Sequence, residues 1–215
     1  MLKRPKNESE KQRREAIGLI RASRFVRQYA RSHRKISIET IRNTHYQIFY
    51  DNWPEIAGEY RIENLKIKNS KHLPPHYSEV PGLMNKSDKK FLQKLKSLEG
   101  CEGILREFKS SEEELSDCIE KVVSVAAWIH HLVTHVHPFR EGNCRTARLS
   151  ANLVLERFGL MGISPKIETE NKKRYCNALA QIDTANDYEP LKKLIGEGLT
   201  DRYRGLKVKY YETKT

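Results

Sequence analysis

Apolar residues at helical spacing, Leu115, Ile119, Val122, Val123, Ala126, Ile129 and Val133, begin just after Ser111-Glu112-Glu113-Glu114 and stop just before Pro138. Serine followed three residues later by glutamate is a capping box, in which each side chain satisfies the other residue's orphan backbone N–H. The stripe therefore predicts one long helix with a buried face. Proline stops it, because its ring disfavours helical backbone at the residue ahead of it. A second helical pattern starts near Asn143 and runs to about Arg157, with Leu149, Leu153 and Val154 inward and Gly159 as its C-terminal stop.

The rest of the chain also reads as mostly helical. Residues 37–50 carry a helical pattern through Ile38, Ile41, His45, Ile48 and Phe49 that stops before Trp53-Pro54. A short helix is predicted over 91–98, another over 171–182 with Tyr175 and Leu179, and a last one over 190–199. Gly58-Glu59-Tyr60-Arg61 opens an alternating stretch through Ile62, Leu65 and Ile67. Residues 69–84 contain Pro74-Pro75, Pro81 and Gly82, which exclude regular helix and predict a hairpin or flap. The expected fold class is all-α with a small β-hairpin flap at about 67–78. Residues 207–215 read as a frayed end or a single extra strand. There is no internal repeat.

At 215 residues the chain is one domain's worth. A hydrophobic content of 38% and a mean hydropathy of -0.73 describe a soluble protein. No segment reaches the roughly 18 uncharged apolar residues needed to span a bilayer. Met1-Leu2-Lys3-Arg4-Pro5-Lys6 lacks the apolar core of a signal peptide. Cys101, Cys118, Cys144 and Cys176 show neither paired nor metal-ligand spacing, so reduced thiols in a cytoplasm are expected, with no membrane partner.

The net charge is +12, and residues 1–35, with twelve Lys/Arg against three acids, supply nine of that surplus. At ~100° per residue, Arg21, Arg24, Arg27, Arg31 and Arg34 fall on one side of a helix, and Leu19, Phe25, Val26 and Tyr29 on the other. Such charge runs are ordinarily the solvated face of a docking helix. The alternative is a contact surface for an acidic partner, with nucleic acid the less favoured choice.

Between the two central helices lies His137-Pro138-Phe139-Arg140-Glu141-Gly142-Asn143-Cys144-Arg145-Thr146-Ala147-Arg148. His137 has an unperturbed pKa suited to proton abstraction near neutrality. Glu141 is a hard oxygen ligand of the kind that holds Mg²⁺ together with a substrate's phosphates. Gly142 and Asn143 sit where a loop enters a helix, so backbone N–H groups can converge on an anion. Arg145 and Arg148, at i and i+3, put two guanidinium forks on one helix face, a grip for two phosphates. The inventory suits a polyphosphate.

The string His-Pro-Phe-x-Glu-Gly-Asn-x-Arg-x-x-Arg resembles the motif of the Fic (filamentation induced by cAMP) domain, and Gly58-Glu59-Tyr60-Arg61 with the following flap resembles that family's upstream signature. The resemblance covers residues 37–199, leaving 1–36 as a basic helical extension and 200–215 as a tail. It implies an all-helical core with a hairpin flap, and transfer of AMP from ATP to a Ser, Thr or Tyr hydroxyl of a target protein. His137 would be the catalytic base. Glu141 would hold Mg²⁺, while Gly142, Asn143 and Cys144 would form the anion hole for the nucleotide phosphates. Arg145 and Arg148 would contact the β- and γ-phosphates. Tyr175 resembles a residue lining the nucleoside side, with a core tyrosine the other reading. The flap, from about Lys68 to Ser78, would clamp the target's backbone by strand addition. Phosphate transfer, UMP transfer or AMP removal at the same site stays open, as does a catalytically weak binding module that uses the basic helix.

The motif departs from the family pattern at Cys144, where a second glycine is usual. A positive φ there would be strained for cysteine, and a thiol at a helix N-terminus beside arginines is expected to have a lowered pKa. No Ser/Thr-x-x-x-Glu-Gly/Asn inhibitory string occurs in the sequence, and relatives without one are commonly restrained by a separate small antitoxin. His131 and His135 form an i, i+4 pair that could hold a metal. With no acidic third ligand evident beside them, packing and hydrogen bonding are the expected roles. His72 and His76 read as flap surface.

Overall fold

The computed structural model describes residues 7–212 except 33, 69, 108, 109 and 164–168, with the side chains of 169–171 and 205–212 also left aside. Lys3, Arg4 and Lys6 of the basic end, Asn69 of the flap and Thr213-Lys214-Thr215 of the tail lie outside the described residues.

The described residues form eight α-helices: α1 (Glu8–Arg31), α2 (Ile38–Phe49), α3 (Val80–Lys96), α4 (Cys101–Glu107), α5 (Glu112–Val136), α6 (Asn143–Arg157), α7 (Thr169–Ala185) and α8 (Glu189–Glu212). The fold is all-α. The capping box opens α5 as expected, with Ser111 Oγ accepting from the Glu114 N–H at 3.2 Å and Glu114 Oε2 accepting from the Ser111 N–H at 3.1 Å. Val122, Ala126, Ile129 and Val133 of α5 are fully buried, and α6 lies against this face with Leu153, Val154 and Leu155. α5 and α6 are the centre around which the other helices pack.

α1 crosses α2 and α6 on a stripe of mostly small residues, Gly18, Ala22, Val26 and Ala30, rather than on Leu19, which is 38% exposed. A Cβ on Gly18 would run into the Ile48 carbonyl, so the close approach of α1 to α2 needs glycine at this point. Arg24, Arg27, Arg31 and Arg34 face outward as expected. Arg21 does not: it pairs with Asp51 and lies over the Tyr50 ring at 4.2 Å.

Three helices and the flap differ from the sequence-based expectation. α3 starts at Val80 and runs through Pro81 and Gly82, because a proline in the first turn removes an N–H that has no intrahelical partner anyway. α4 was not anticipated, and a disulfide joins its Cys101 to Cys118 of α5. The expectation of four reduced thiols therefore holds for Cys144 and Cys176 alone. The α8 backbone continues to Glu212, past the expected end at 199.

The hairpin expected at 67–78 has no strand ladder among the described residues, and strand-like pairing is limited to one bridge, Tyr60 to Phe139. Pro74 and Pro75 have no N–H to give a ladder. Side chains pin the flap instead. Arg61 donates to the carbonyls of Glu63 at 2.9 Å and Pro75 at 2.6 Å, the Tyr77 N–H donates to Asn64 at 3.0 Å, and His72 Nε2 meets the His135 carbonyl at 2.8 Å. No helix among the described residues is long and apolar enough to cross a membrane.

Candidate active site

His137 terminates α5 in a left-handed conformation (φ 50°, ψ 55°), with its N–H bonded to the Val133 carbonyl at 3.1 Å. The turn aims its ring back over the last helical turn, where Nδ1 lies 3.2 Å from the Thr134 carbonyl. A carbonyl can only accept, so Nδ1 carries the proton and Nε2 keeps a free lone pair. Burial lowers the His137 pKa; the Thr134 carbonyl opposes this, and the Arg61 guanidinium adds to it. The ring is thus a neutral base at pH 7.

Arg61, met in the sequence only as the end of Gly58-Glu59-Tyr60-Arg61, is one support of this turn. Buried to 3% exposure, it donates from Nε to the His137 carbonyl at 2.9 Å, and its backbone N–H meets the Pro138 carbonyl at 2.9 Å. His45 is the other. Its ring stacks on Phe139 at 3.9 Å, Nε2 donates to the Glu141 carbonyl at 3.0 Å, and Nδ1 accepts from the Gly58 N–H at 2.9 Å. Burial pushes the His45 pKa down to about 4, which keeps it neutral with both nitrogens in use. His45 appears in the sequence only as one position of a helical stripe, and nothing local marks it as a loop anchor.

Gly142 is the N-cap of α6 at φ 77°, and a Cβ there would lie 2.7 Å from Phe49 Cζ. Its N–H is taken by Glu141 Oε1 at 2.9 Å. Asn143 turns its side chain into the loop: Oδ1 accepts from the Phe139 N–H at 2.9 Å and Nδ2 donates to the Phe139 carbonyl at 2.7 Å. The Gly142 N–H and the Asn143 amide, both expected in the anion hole, thus hold the loop together. The first bond of α6 runs from the Thr146 N–H to the Gly142 carbonyl at 2.9 Å, which leaves the N–H groups of Asn143, Cys144 and Arg145 without intrahelical partners. Those three donors and the helix dipole make the cradle for an anion.

Cys144 lies in the first turn of α6 and is not among the residues with positive φ, so cysteine is unstrained at this position. Its side chain reaches solvent, yet the protein around the sulfur pushes the thiol pKa up, with Arg148 opposing; the expected lowering does not occur. Tyr175 comes from α7 to lie against this sulfur, and its hydroxyl is 3.3 Å from His130 Nε2. The expected arginine pair divides. Arg145 is held by Glu15 and Glu141, each at 3.2 Å, whereas Arg148 has no hydrogen bond or ion pair among the described residues. Glu141 presents an exposed carboxylate at the loop's edge.

A neutral imidazole, three N–H groups free at a helix start and two arginines are thus set on one two-helix frame. The sequence profile of the Fic/DOC family matches residues 35–155, and the chain belongs to that family. Over 197 residues it is 27% identical to a protein adenylyltransferase, fic-1, of Caenorhabditis elegans, covering 89% of this chain and 34% of that protein. A Fic domain containing signaling protein from Bacteroides thetaiotaomicron superposes with a TM-score of 0.69 at 25% identity, over 90% of this chain and 71% of that one. The Fic domain of a putative cell filamentation protein from Bartonella quintana, solved with bound ADP, gives 0.61 at 22% identity, over 90% and 86%. The chain spans about a third of the length of the curated relatives it matches.

Proposed function

We propose that the chain is a protein adenylyltransferase that moves AMP from ATP to a Ser, Thr or Tyr hydroxyl of a target protein. The observation that carries this reading is the tautomer of His137, whose Nδ1 is committed to the Thr134 carbonyl, which leaves the Nε2 lone pair to take a proton. The names of the relatives as adenylyltransferases, and the ADP bound to the Bartonella quintana domain, point the same way.

In this reading the target's hydroxyl oxygen attacks the α-phosphorus as its proton passes to His137 Nε2. A new P–O bond forms to the target, the bond from α-phosphorus to the bridging oxygen breaks, and pyrophosphate leaves. The N–H groups of Asn143, Cys144 and Arg145 hold the phosphate oxygens in place, and Arg148 takes charge on the leaving group. Arg145 does so once phosphate displaces a carboxylate from it. Glu141, a hard and exposed oxygen donor at the loop's edge, fits Mg²⁺, which would neutralise phosphate charge when bound. Tyr175, beside Cys144, lines the site next to the cradle. The flap, from about Lys68 to Ser78, receives the target.

Mass mapping of proteins treated with the chain and ATP tests this. An added AMP on a hydroxyl side chain, absent with His137→Ala, is the expected result; no adduct on any protein, or the same adduct with His137→Ala, contradicts it.

A further inference from the structure

Asp183 of α7 gathers three imidazoles, two from α5 and one from the flap. Its Oδ1 lies 2.9 Å from His131 Nε2 and 2.7 Å from His135 Nδ1, and its Oδ2 lies 3.9 Å from His72 Nδ1. The His72 and His135 rings stack at 4.3 Å. Sequence spacing paired His131 with His135 and left His72 on the flap surface; Asp183 is the acidic partner that was not evident.

The tautomers decide what this group can bind. His72 Nε2 faces the His135 carbonyl at 2.8 Å, so it carries the proton and Nδ1 carries a lone pair. That lone pair faces a carboxylate oxygen. Two electron-pair donors turned toward each other are what a cation satisfies and a hydrogen bond between neutral groups cannot. His135 Nδ1 donates to Asp183 Oδ1 at 2.7 Å, so an ion bound at that nitrogen takes the place of its proton, which is released to solvent.

We propose that His72, His135 and Asp183 form a binding site for one divalent transition-metal ion of the Zn²⁺ type, fastening the flap to the end of α5 that carries His137. The ligand atoms lie within 4.8 Å of one another. Donors at about 2.0–2.2 Å around a tetrahedral ion sit roughly 3.4 Å apart, so closure takes a shift of about an ångström. Two imidazoles and a carboxylate select Zn²⁺ and its neighbours over Mg²⁺ or Ca²⁺. His131 keeps its bond to Asp183 Oδ1 and orients the carboxylate, with Tyr188 on its other nitrogen at 3.4 Å. An open groove lined by Trp128, His131, His135 and Tyr188 gives the ion a path from solvent. None of the three ligands belongs to the 137–148 loop, so this inference does not depend on the transfer chemistry.

The test is a calorimetric titration of the untagged, chelator-treated full chain with Zn²⁺, followed by Co²⁺ as an optical probe. One Zn²⁺ per chain, a rise in Tm, and visible Co²⁺ bands of low coordination number are expected. His135→Ala and His72→Ala should each weaken uptake by at least about tenfold, and His131→Ala by about 10–100-fold. His72 lies outside the helices, so His72→Ala keeps the fold, which far-UV circular dichroism verifies, even where Asp183→Asn does not. Failure of the wild-type chain to take up Zn²⁺, or uptake by His72→Ala as tight as wild type, overturns the proposal.

Discussion

Glu15 Oε2 lies 3.2 Å from Arg145 Nη1, so α1 reaches over the frame to hold the arginine in the first turn of α6. Glu141 holds the other nitrogen of the same fork at 3.2 Å, and the Arg145 guanidinium lies over the Phe49 ring at 5.0 Å. Arg148, one turn further along α6, is held by no such pair among the described residues. Two arginines that look equivalent in the sequence are therefore in different states, one occupied by carboxylates and one open. In the proposed function, nucleotide phosphates compete with Glu15 for Arg145.

Removing that competitor should tighten nucleotide binding. A partly exposed ion pair is worth up to about 1 kcal/mol, so Glu15→Gln should raise ATP affinity by up to about fivefold. Fluorescence titration with an ATP analogue reads this directly. Weaker binding by Glu15→Gln would mean that Glu15 positions Arg145 for the nucleotide.

Gly142→Ala should damage both stability and activity. The left-handed φ of 77° and the contact of a Cβ with Phe49 both oppose a side chain here. Overpacking and backbone strain together cost about 2–4 kcal/mol. A lower urea midpoint with an unchanged slope is the expected signature, and a midpoint equal to wild type would contradict the geometry.

Asn143→Ala removes both bonds to Phe139 and leaves a buried N–H and a buried carbonyl unsatisfied. The loss should be about 2–4 kcal/mol. Hydrogen exchange of the Phe139 amide should speed up in this variant, and exchange as slow as wild type would argue against the role.

Stability should fall as pH falls below neutrality. His45 has a folded pKa of about 4 and His130 of about 3, both lowered mainly by burial from an ordinary value of 6.5. Between those values the unfolded chain binds more protons than the folded one, so stability rises with pH through this window and levels off above about 6.5. Each ring contributes on the order of 3–5 kcal/mol when its window is crossed in full. Urea midpoints that stay flat from pH 7 to pH 4 would contradict the buried neutral state of both rings.

What was legible in the sequence was what is local. The capping box at Ser111, the stripe from Leu115 to Val133 and the proline after it mark α5, and the motif fixes which residues share the loop. Pro81 misled because proline bars a helix interior but fits a first turn, and the flap misled because alternation does not reveal that Pro74-Pro75 prevent a ladder. The remainder depended on contacts between residues far apart in the chain. Nothing near Arg61 announces that it supports His137, and Cys101 with Cys118 has no spacing signature. Likewise, Asp183 joins His135 and His72 only once α5, α7 and the flap have converged.

The most direct measurement compares ATP labelled at the α-phosphate with ATP labelled at the γ-phosphate, each incubated with the chain and a cell lysate and read as protein-bound label. Transfer of the α-label alone is expected, reduced by ~100-fold or more in His137→Ala, the scale of a lost general base. Transfer of the γ-label, or equal α-labelling by wild type and His137→Ala, would contradict it.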